Sequence, residues 1–203
     1  MALTVLGIRH GEVHNPKGVI YAGLDGYGLS ETGRVQAQAV ADALRGVTLA
    51  GLYASPLDRA METAGYIAAV TGAEVIPDER LYEWRHWQQW AGMTWEELRE
   101  KGRGAFEAYM NDPGSVTSGE SLEELADRFG SWLTDVQRDH ADGVVIGVTH
   151  LEGLRATLLR ELGRPPKDLF TVEIGLSGVV RLTPDPEPVP IDLKRLPALL
   201  GSR

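Results

Sequence analysis

Two short apolar runs, residues 3–8 and 144–148, each stop at a histidine, and this repeated ending constrains the fold more than any other feature of the chain. Both runs are rich in Val, Leu and Ile and too short for helices, so they read as strands buried on both faces. The first ends in Arg9-His10-Gly11 and the second in Thr149-His150. Further strands are expected at residues 51–55 and 73–76, the latter just before Pro77. Helical stripes separate them. Ser30 is placed to cap a helix with Val40, Leu44 and Val47 on one face. Ser55-Pro56 reads as a cap with Pro at the first helical position, continued by Leu57, Ala60, Met61, Ala64 and Ile67 to Gly72. Leu151, Leu154, Leu158 and Leu162 share a face after His150. Alternating strands and helices predict an α/β protein, a three-layer α/β/α sandwich with a mostly parallel central sheet. Ligands in such sheets bind beyond the carboxyl ends of the strands. His10 and His150 both fall there, and Arg59, in the first turn of its helix, can reach the same rim.

The middle of the chain breaks this alternation. Thr94-Trp95-Glu96-Glu97 and Ser121-Leu122-Glu123-Glu124 both fit the capping box, so each should open a helix. The second carries a full stripe of Leu122, Leu125, Phe129, Trp132 and Val136, whereas Gly102 and Gly104 weaken the first and are placed to split it. Residues 84–140 therefore read as a small helical insertion in a single domain of residues 1–183. Residues 170–174 and 178–182 are expected to form a closing pair of strands. Four prolines within residues 184–190 make 184–203 a Pro-rich C-terminal arm.

Composition narrows the function. With 20 Lys and Arg against 29 Asp and Glu the formal charge is −9, which disfavours nucleic acid and anionic membranes as partners. A small anionic substrate would need a local pocket of Arg and His. With no cysteine in the sequence, disulfides, thiolate catalysis and sulfur-ligated metal are excluded. No stretch approaches the roughly 20 apolar residues of a membrane span, and charge follows the amino end too soon for a secretory leader. A cytoplasmic protein is the expectation.

The blocks RHGE at 9–12, LYASPLDRAMETA at 52–64, LYE at 81–83, SGES at 118–121 and VTH at 148–150 stand in an order that resembles the histidine phosphatase superfamily, the phosphoglycerate mutase-like family. The resemblance implies a phosphatase that hydrolyses a small phosphomonoester through a phosphohistidine on His10. It also implies Arg9, Arg59 and His150 as the groups that hold the phosphate, Glu83 as proton donor, and Asn15 as a further phosphate contact. It implies no cofactor and no metal. Two alternatives stay open: a cofactor-dependent phosphoglycerate mutase, whose relatives look longer, and a non-catalytic phospholigand-binding protein. The partner expected is a small phosphorylated metabolite, with a homodimer left open. The residue types suit the chemistry, because a phosphoryl group in transfer spreads negative charge over three oxygens that guanidinium forks and imidazoles can hold.

Plainer readings compete at several positions. His10 and His14 have HxxxH spacing, but Gly11 and Asn15-Pro16 argue against the helix a zinc pair would need. His14 is expected on a solvent-facing loop, and His86 and His140 at the surface. Trp84, Trp87, Trp90 and Trp95 read as packing residues that together could wall an entrance. Arg85 and His86 between them are candidates for substrate discrimination. Glu120 and Ser121 are explained as a helix start, and Glu152 is expected to point away along its helix.

Overall fold

The computed structural model describes residues 2–201. Strands β1 (Thr4–Arg9), β2 (Leu49–Ala54), β3 (Val75–Pro77), β4 (Val144–Thr149) and β5 (Val179–Thr183) form one sheet in the order β3-β2-β4-β1-β5. All neighbours are parallel except β5, which runs antiparallel along β1. β1 and β4 lie side by side at the centre in exact step from Thr4 with Val144 to Arg9 with Thr149. The two histidines that follow therefore leave the sheet at one edge, and a bond from the His10 N–H to the Thr149 carbonyl (2.9 Å) holds them level.

Side chains alternate along these strands and feed two cores. Leu6, Ile8, Val144, Ile146 and Val148 face α1 (Glu31–Ala43) and α2 (Asp58–Thr71). Val5 and Val145 face the opposite layer, which later helices provide. α3 (Trp95–Lys101) and α4 (Arg103–Asn111) stand off the sheet, α5 (Leu122–Asp139) and α6 (Leu151–Glu161) cover it, and α7 (Leu196–Leu199) is a short closing turn. The sandwich expected from the alternation is thus present, with helices on both faces. Both capping boxes form: Thr94 and Glu97 exchange side-chain-to-backbone bonds, as do Ser121 and Glu124. Gly102 ends α3, so the expected split occurs there. Of residues 84–140, α5 is a layer of the sandwich, with Leu125, Phe129, Trp132 and Val136 buried against α6 and the sheet.

Two local expectations are corrected. α2 begins at Asp58 rather than at Ser55-Pro56, and Leu57 precedes it with no side-chain cap. Residues 170–174 form no strand. A 3₁₀ turn spans Pro166–Thr171, and the carbonyls beyond it are taken by arginines, Val172 by Arg155 Nε (2.7 Å) and Ile174 by Arg9 Nη1 (2.8 Å). β5 therefore closes the sheet alone. The arm returns to its own body: the Ile191 N–H donates to the Val179 carbonyl (2.7 Å), and Leu196 is fully buried in the core shared by α1 and α2. Among the described residues no helix is long and apolar enough to cross a membrane.

Candidate active site

β1 and β4 deliver His10 and His150 to the sheet edge, and their rings lie 5.2 Å apart, both buried. The turn after β1 is drawn tight against α1. A side chain on Gly11 would meet the Gly33 carbonyl at 2.6 Å, so only glycine permits this approach. His10 Nδ1 lies 2.8 Å from the Gly11 carbonyl. A carbonyl can only accept, so Nδ1 carries the ring proton and Nε2 keeps its lone pair. Burial, with Arg59 and Arg9 nearby, pushes the His10 pKa down to about 3. The ring is therefore a neutral, nucleophilic imidazole over the whole physiological range.

Arg59, in the first turn of α2, is completely buried, which few arginines are. Nη2 donates to the Ala22 carbonyl (2.6 Å), and the guanidinium lies 4.8 Å from the centre of the Tyr21 ring. Its Nε and Nη1 have no hydrogen-bond partner, nor does Arg9 Nε, and His150 Nδ1 meets only the Glu83 carboxylate at 3.4 Å. Each buried donor left unmet costs about 1–3 kcal/mol, and an anion bound beside His10 would meet them.

His150 is read through Ser55. The Ser55 hydroxyl oxygen accepts from the Leu57 N–H (3.4 Å), which frees its own proton for His150 Nε2 at 2.8 Å. Nδ1 then bears the one N–H of this neutral ring and can donate. Burial first, then Arg59 and His10, hold the His150 pKa well below its ordinary value.

Glu83 closes the group. Its Oε1 accepts from the Trp84 N–H (2.9 Å), and Oε2 lies 3.4 Å from His150 Nδ1 and 3.8 Å from Arg59 Nη2. Burial raises its pKa, against the opposing pull of Arg59, so the carboxyl holds a proton more readily than a free glutamate. A carboxyl whose pKa is raised by burial thus stands beside an unprotonated nucleophile and a set of cationic donors.

Of the residues proposed from the sequence, the structure gathers His10, Arg9, Arg59, Glu83 and His150. Asn15 is not gathered with them: its amide donates to the Val19 carbonyl (2.8 Å) and accepts from the Val19 N–H (3.1 Å), which spends it on its own loop. His14 is exposed, as expected. His86 is not at the surface. It is buried between Trp84 and Trp90, with ring centres 4.7 and 4.8 Å away, and Nδ1 lies 3.0 Å from the Ser118 carbonyl. His140 is half-buried, 3.3 Å from the Tyr53 hydroxyl. Trp84 and Trp90 are core, whereas Trp95 is exposed.

Sequence reading missed the residues that hold the site in place. Glu120 does more than start a helix: its carboxylate pairs with Arg128 (2.7 Å) and accepts from the Arg85 N–H (3.1 Å). Arg128 Nη1 donates to the Arg80 and Tyr82 carbonyls, each at 2.9 Å, so this pair clamps the backbone that presents Glu83. The signal was there only in part, since SGES placed Glu120 near the pocket. Glu152 likewise does not point away. It is buried, and it binds Tyr109 and Arg155. No cluster of three or more metal-ligating side chains occurs among the described residues.

Residues 5–194 match the family described as the histidine phosphatase superfamily (branch 1). Phosphoserine phosphatase 1 of Hydrogenobacter thermophilus is 36% identical over 159 residues, covering 77% of this chain and 74% of that protein. The 2,3-bisphosphoglycerate-dependent phosphoglycerate mutase of Thermoplasma acidophilum is 39% identical over 162 residues, covering 78% and 75%. Among solved structures, Bacillus stearothermophilus YhfR superposes with a TM-score of 0.82 at 27% identity, covering 89% of this chain and 90% of that one.

Proposed function

We infer the reaction of this chain from the premise that it belongs to the histidine phosphatase superfamily and is a hydrolase of small phosphomonoesters. In our reading His10 Nε2 attacks phosphorus, the bond to the ester oxygen breaks, and Glu83 gives its proton to that departing oxygen. Arg9, Arg59 and His150 Nδ1 hold the three equatorial oxygens as charge spreads onto them. Water then attacks the phosphohistidine, its proton goes to the Glu83 carboxylate, and the N–P bond breaks. Phosphate leaves with every group restored.

The single observation that carries this reading is the set of buried guanidinium and imidazole N–H groups without a hydrogen bond beside an imidazole whose Nε2 is unprotonated. No metal is needed in such a scheme, because the cationic side chains supply the charge. We propose a phosphorylated metabolite of phosphoserine or phosphoglycerate size as substrate and the cytoplasm as the place of action. The identity to a mutase favours one second reading, in which the phosphoryl group on His10 passes to a sugar acid instead of to water.

Release of inorganic phosphate from a panel of metabolite phosphates, with and without an acceptor acid, separates the two. Enzyme quenched mid-reaction in alkaline denaturant should carry base-stable, acid-labile phosphorus on one imidazole. His10→Ala should fold and lose both the label and turnover, by about 10⁴-fold or more. Labelled phosphorus persisting in that variant would overturn the assignment.

A further inference from the structure

The reaction just described leaves one group of buried polar side chains unused, and it lies between α4 and α6. Glu152, second residue of α6, is 5% exposed. Its Oε1 accepts from the Tyr109 hydroxyl at 3.0 Å and from Arg155 Nη1 at 3.2 Å, and Oε2 lies 3.4 Å from the same nitrogen. A carboxylate in the first turn of a helix is favoured by the helix dipole. Burying it is costly without partners, and here the partners come from two helices.

Tyr109 is itself buried on α4, its ring 5.8 Å from Trp84, 5.1 Å from Trp87 and 5.2 Å from Phe170. These apolar contacts would hold a phenylalanine as well, so packing alone does not account for the hydroxyl or the carboxylate that it meets. Each member of the group stands one step from a reacting residue. Trp84, against which Tyr109 packs, donates its N–H to Glu83. Glu152 lies two residues beyond His150. Arg155 holds the Val172 carbonyl and Arg9 the Ile174 carbonyl, so the two arginines grip one short segment.

We propose that Glu152, held by Tyr109 and Arg155, is a positioning residue for phosphoryl transfer: it fastens α4, whose Tyr109 packs on Trp84 next to Glu83, to the helix that starts at His150. The electrostatics agree in sign, since Glu152 attracts the Arg9 guanidinium and disfavours the ionised form of Glu83. The other groups that face Glu83 are Arg9 from β1, Arg59 from α2, His150 at the start of α6, Tyr21 from the loop after β1 and Tyr109 from α4, while Arg128 of α5 holds its carbonyl. Glu152 is the carboxylate whose charge disfavours ionisation of Glu83, so its removal should make Glu83 easier to ionise.

The proposal rests on the reading of Glu83 as proton donor, and the test separates the two. Glu152→Gln and Tyr109→Phe are compared with the unmodified protein on an alkyl and an aryl phosphate across pH 4 to 9, with thermal unfolding measured alongside. Glutamine keeps the size and one acceptor oxygen for Tyr109 and removes the charge. In Glu152→Gln the alkaline limb, where Glu83 loses its proton, should move to lower pH by about half a unit. Turnover of the alkyl phosphate should fall about tenfold, against less than about threefold for the aryl phosphate, with KM nearly unchanged. Tyr109→Phe should shift the same quantities in the same direction by less. A lower melting temperature with an unaltered limb and an unaltered alkyl-to-aryl ratio means a purely structural tie and overturns the proposal. If Glu152→Gln does not fold, Tyr109→Phe, which keeps the Glu152–Arg155 pair, decides by the same two readouts. Absence of acid-labile phosphorus in the unmodified protein would overturn the catalytic reading itself, and this inference with it.

Discussion

Arg59→Met replaces a buried guanidinium with an apolar chain of similar length, and the structure predicts opposite consequences for activity and for folding. In the transition state Nε and Nη1, which have no protein partner, would each donate a charge-assisted bond to the transferring group. Such bonds contribute about 1.5–3 kcal/mol each, or roughly 3–6 together, so kcat/KM should fall by about 10² to 10⁴. The folded state loses the bond to the Ala22 carbonyl and the contact with the Tyr21 ring, together roughly 2–5 kcal/mol. It also escapes the cost of two unmet donors in the interior, roughly 2–6 kcal/mol. These nearly cancel, so stability should stay within about 2 kcal/mol, which for a chain of this length is a change of about 4–8 °C in Tm. Thermal unfolding with and without inorganic phosphate reads both effects at once. Phosphate at about a hundredfold its Kd should stabilise the unmodified protein by about 2.7 kcal/mol and leave the variant unmoved. Loss of more than about 4 kcal/mol without phosphate would refute the claim that the guanidinium is held at a cost for binding. An unchanged phosphate response would remove Arg59 from the anion site.

Glu83→Gln cannot donate a proton, so alkyl phosphates should slow by about 10² to 10⁴ and aryl phosphates, with better leaving groups, far less; equal slowing in a rate assay would exclude the acid role. His10 and His150 both stay neutral in the folded protein below their ordinary value of 6.5, His10 down to about 3. The unfolded chain takes up those protons first, so stability should be full above about pH 6.5 and fall as pH drops from there towards 3. Glu83, raised rather than lowered, opposes this as one group against two. Denaturant unfolding at pH 7.5, 5.5 and 4 measures the slope, and a flat profile would mean that burial does not suppress imidazole protonation. Gly153→Ala would place a methyl 2.1 Å from the tip of the buried Phe129 ring where α5 packs on α6. It should destabilise by about 1–3 kcal/mol in a thermal melt, and a cost under about 0.5 kcal/mol would show the interface to be looser than its geometry.

Much of the fold was legible because its signals are local. The caps at Ser30, Thr94 and Ser121 work within three residues, and each appears where the residue types demand it. The same logic failed at Ser55-Pro56: the helix starts only at Asp58, and the Ser55 hydroxyl lies 2.8 Å from His150 Nε2, 95 positions away, a tertiary partner that no local pattern shows. Residues 170–174 have strand-like side chains, yet a strand also needs its carbonyls, and two of these belong to Arg155 and Arg9. His86 carries no mark of burial in its own neighbourhood beyond tryptophans that pattern alone leaves as an exposed stripe or a core.

The site divides along a similar line. Attack on phosphorus requires a neutral imidazole, cationic forks and an acid, and the ordered blocks that resemble the family place His10, Arg9, Arg59, Glu83 and His150 as the candidates for those parts. Holding those groups in place makes no such demand. Glu120 with Arg128, or Glu152 with Arg155 and Tyr109, could be replaced in that task by other pairs, and in sequence they resemble the solvated charges of an ordinary helix. The exposed pairs Arg45–Asp42 and Lys101–Glu97 show what that ordinary state is: neighbours on one turn, wet and replaceable. What separates Glu120 and Glu152 from them is burial against partners on other elements, a property of the assembled fold. Asn15 errs in the opposite direction, since a residue of the right type near the right position is consumed by its own turn. Residue type and block order therefore point to the candidates for the chemistry, and only the packed structure reveals the buried pairs that surround them.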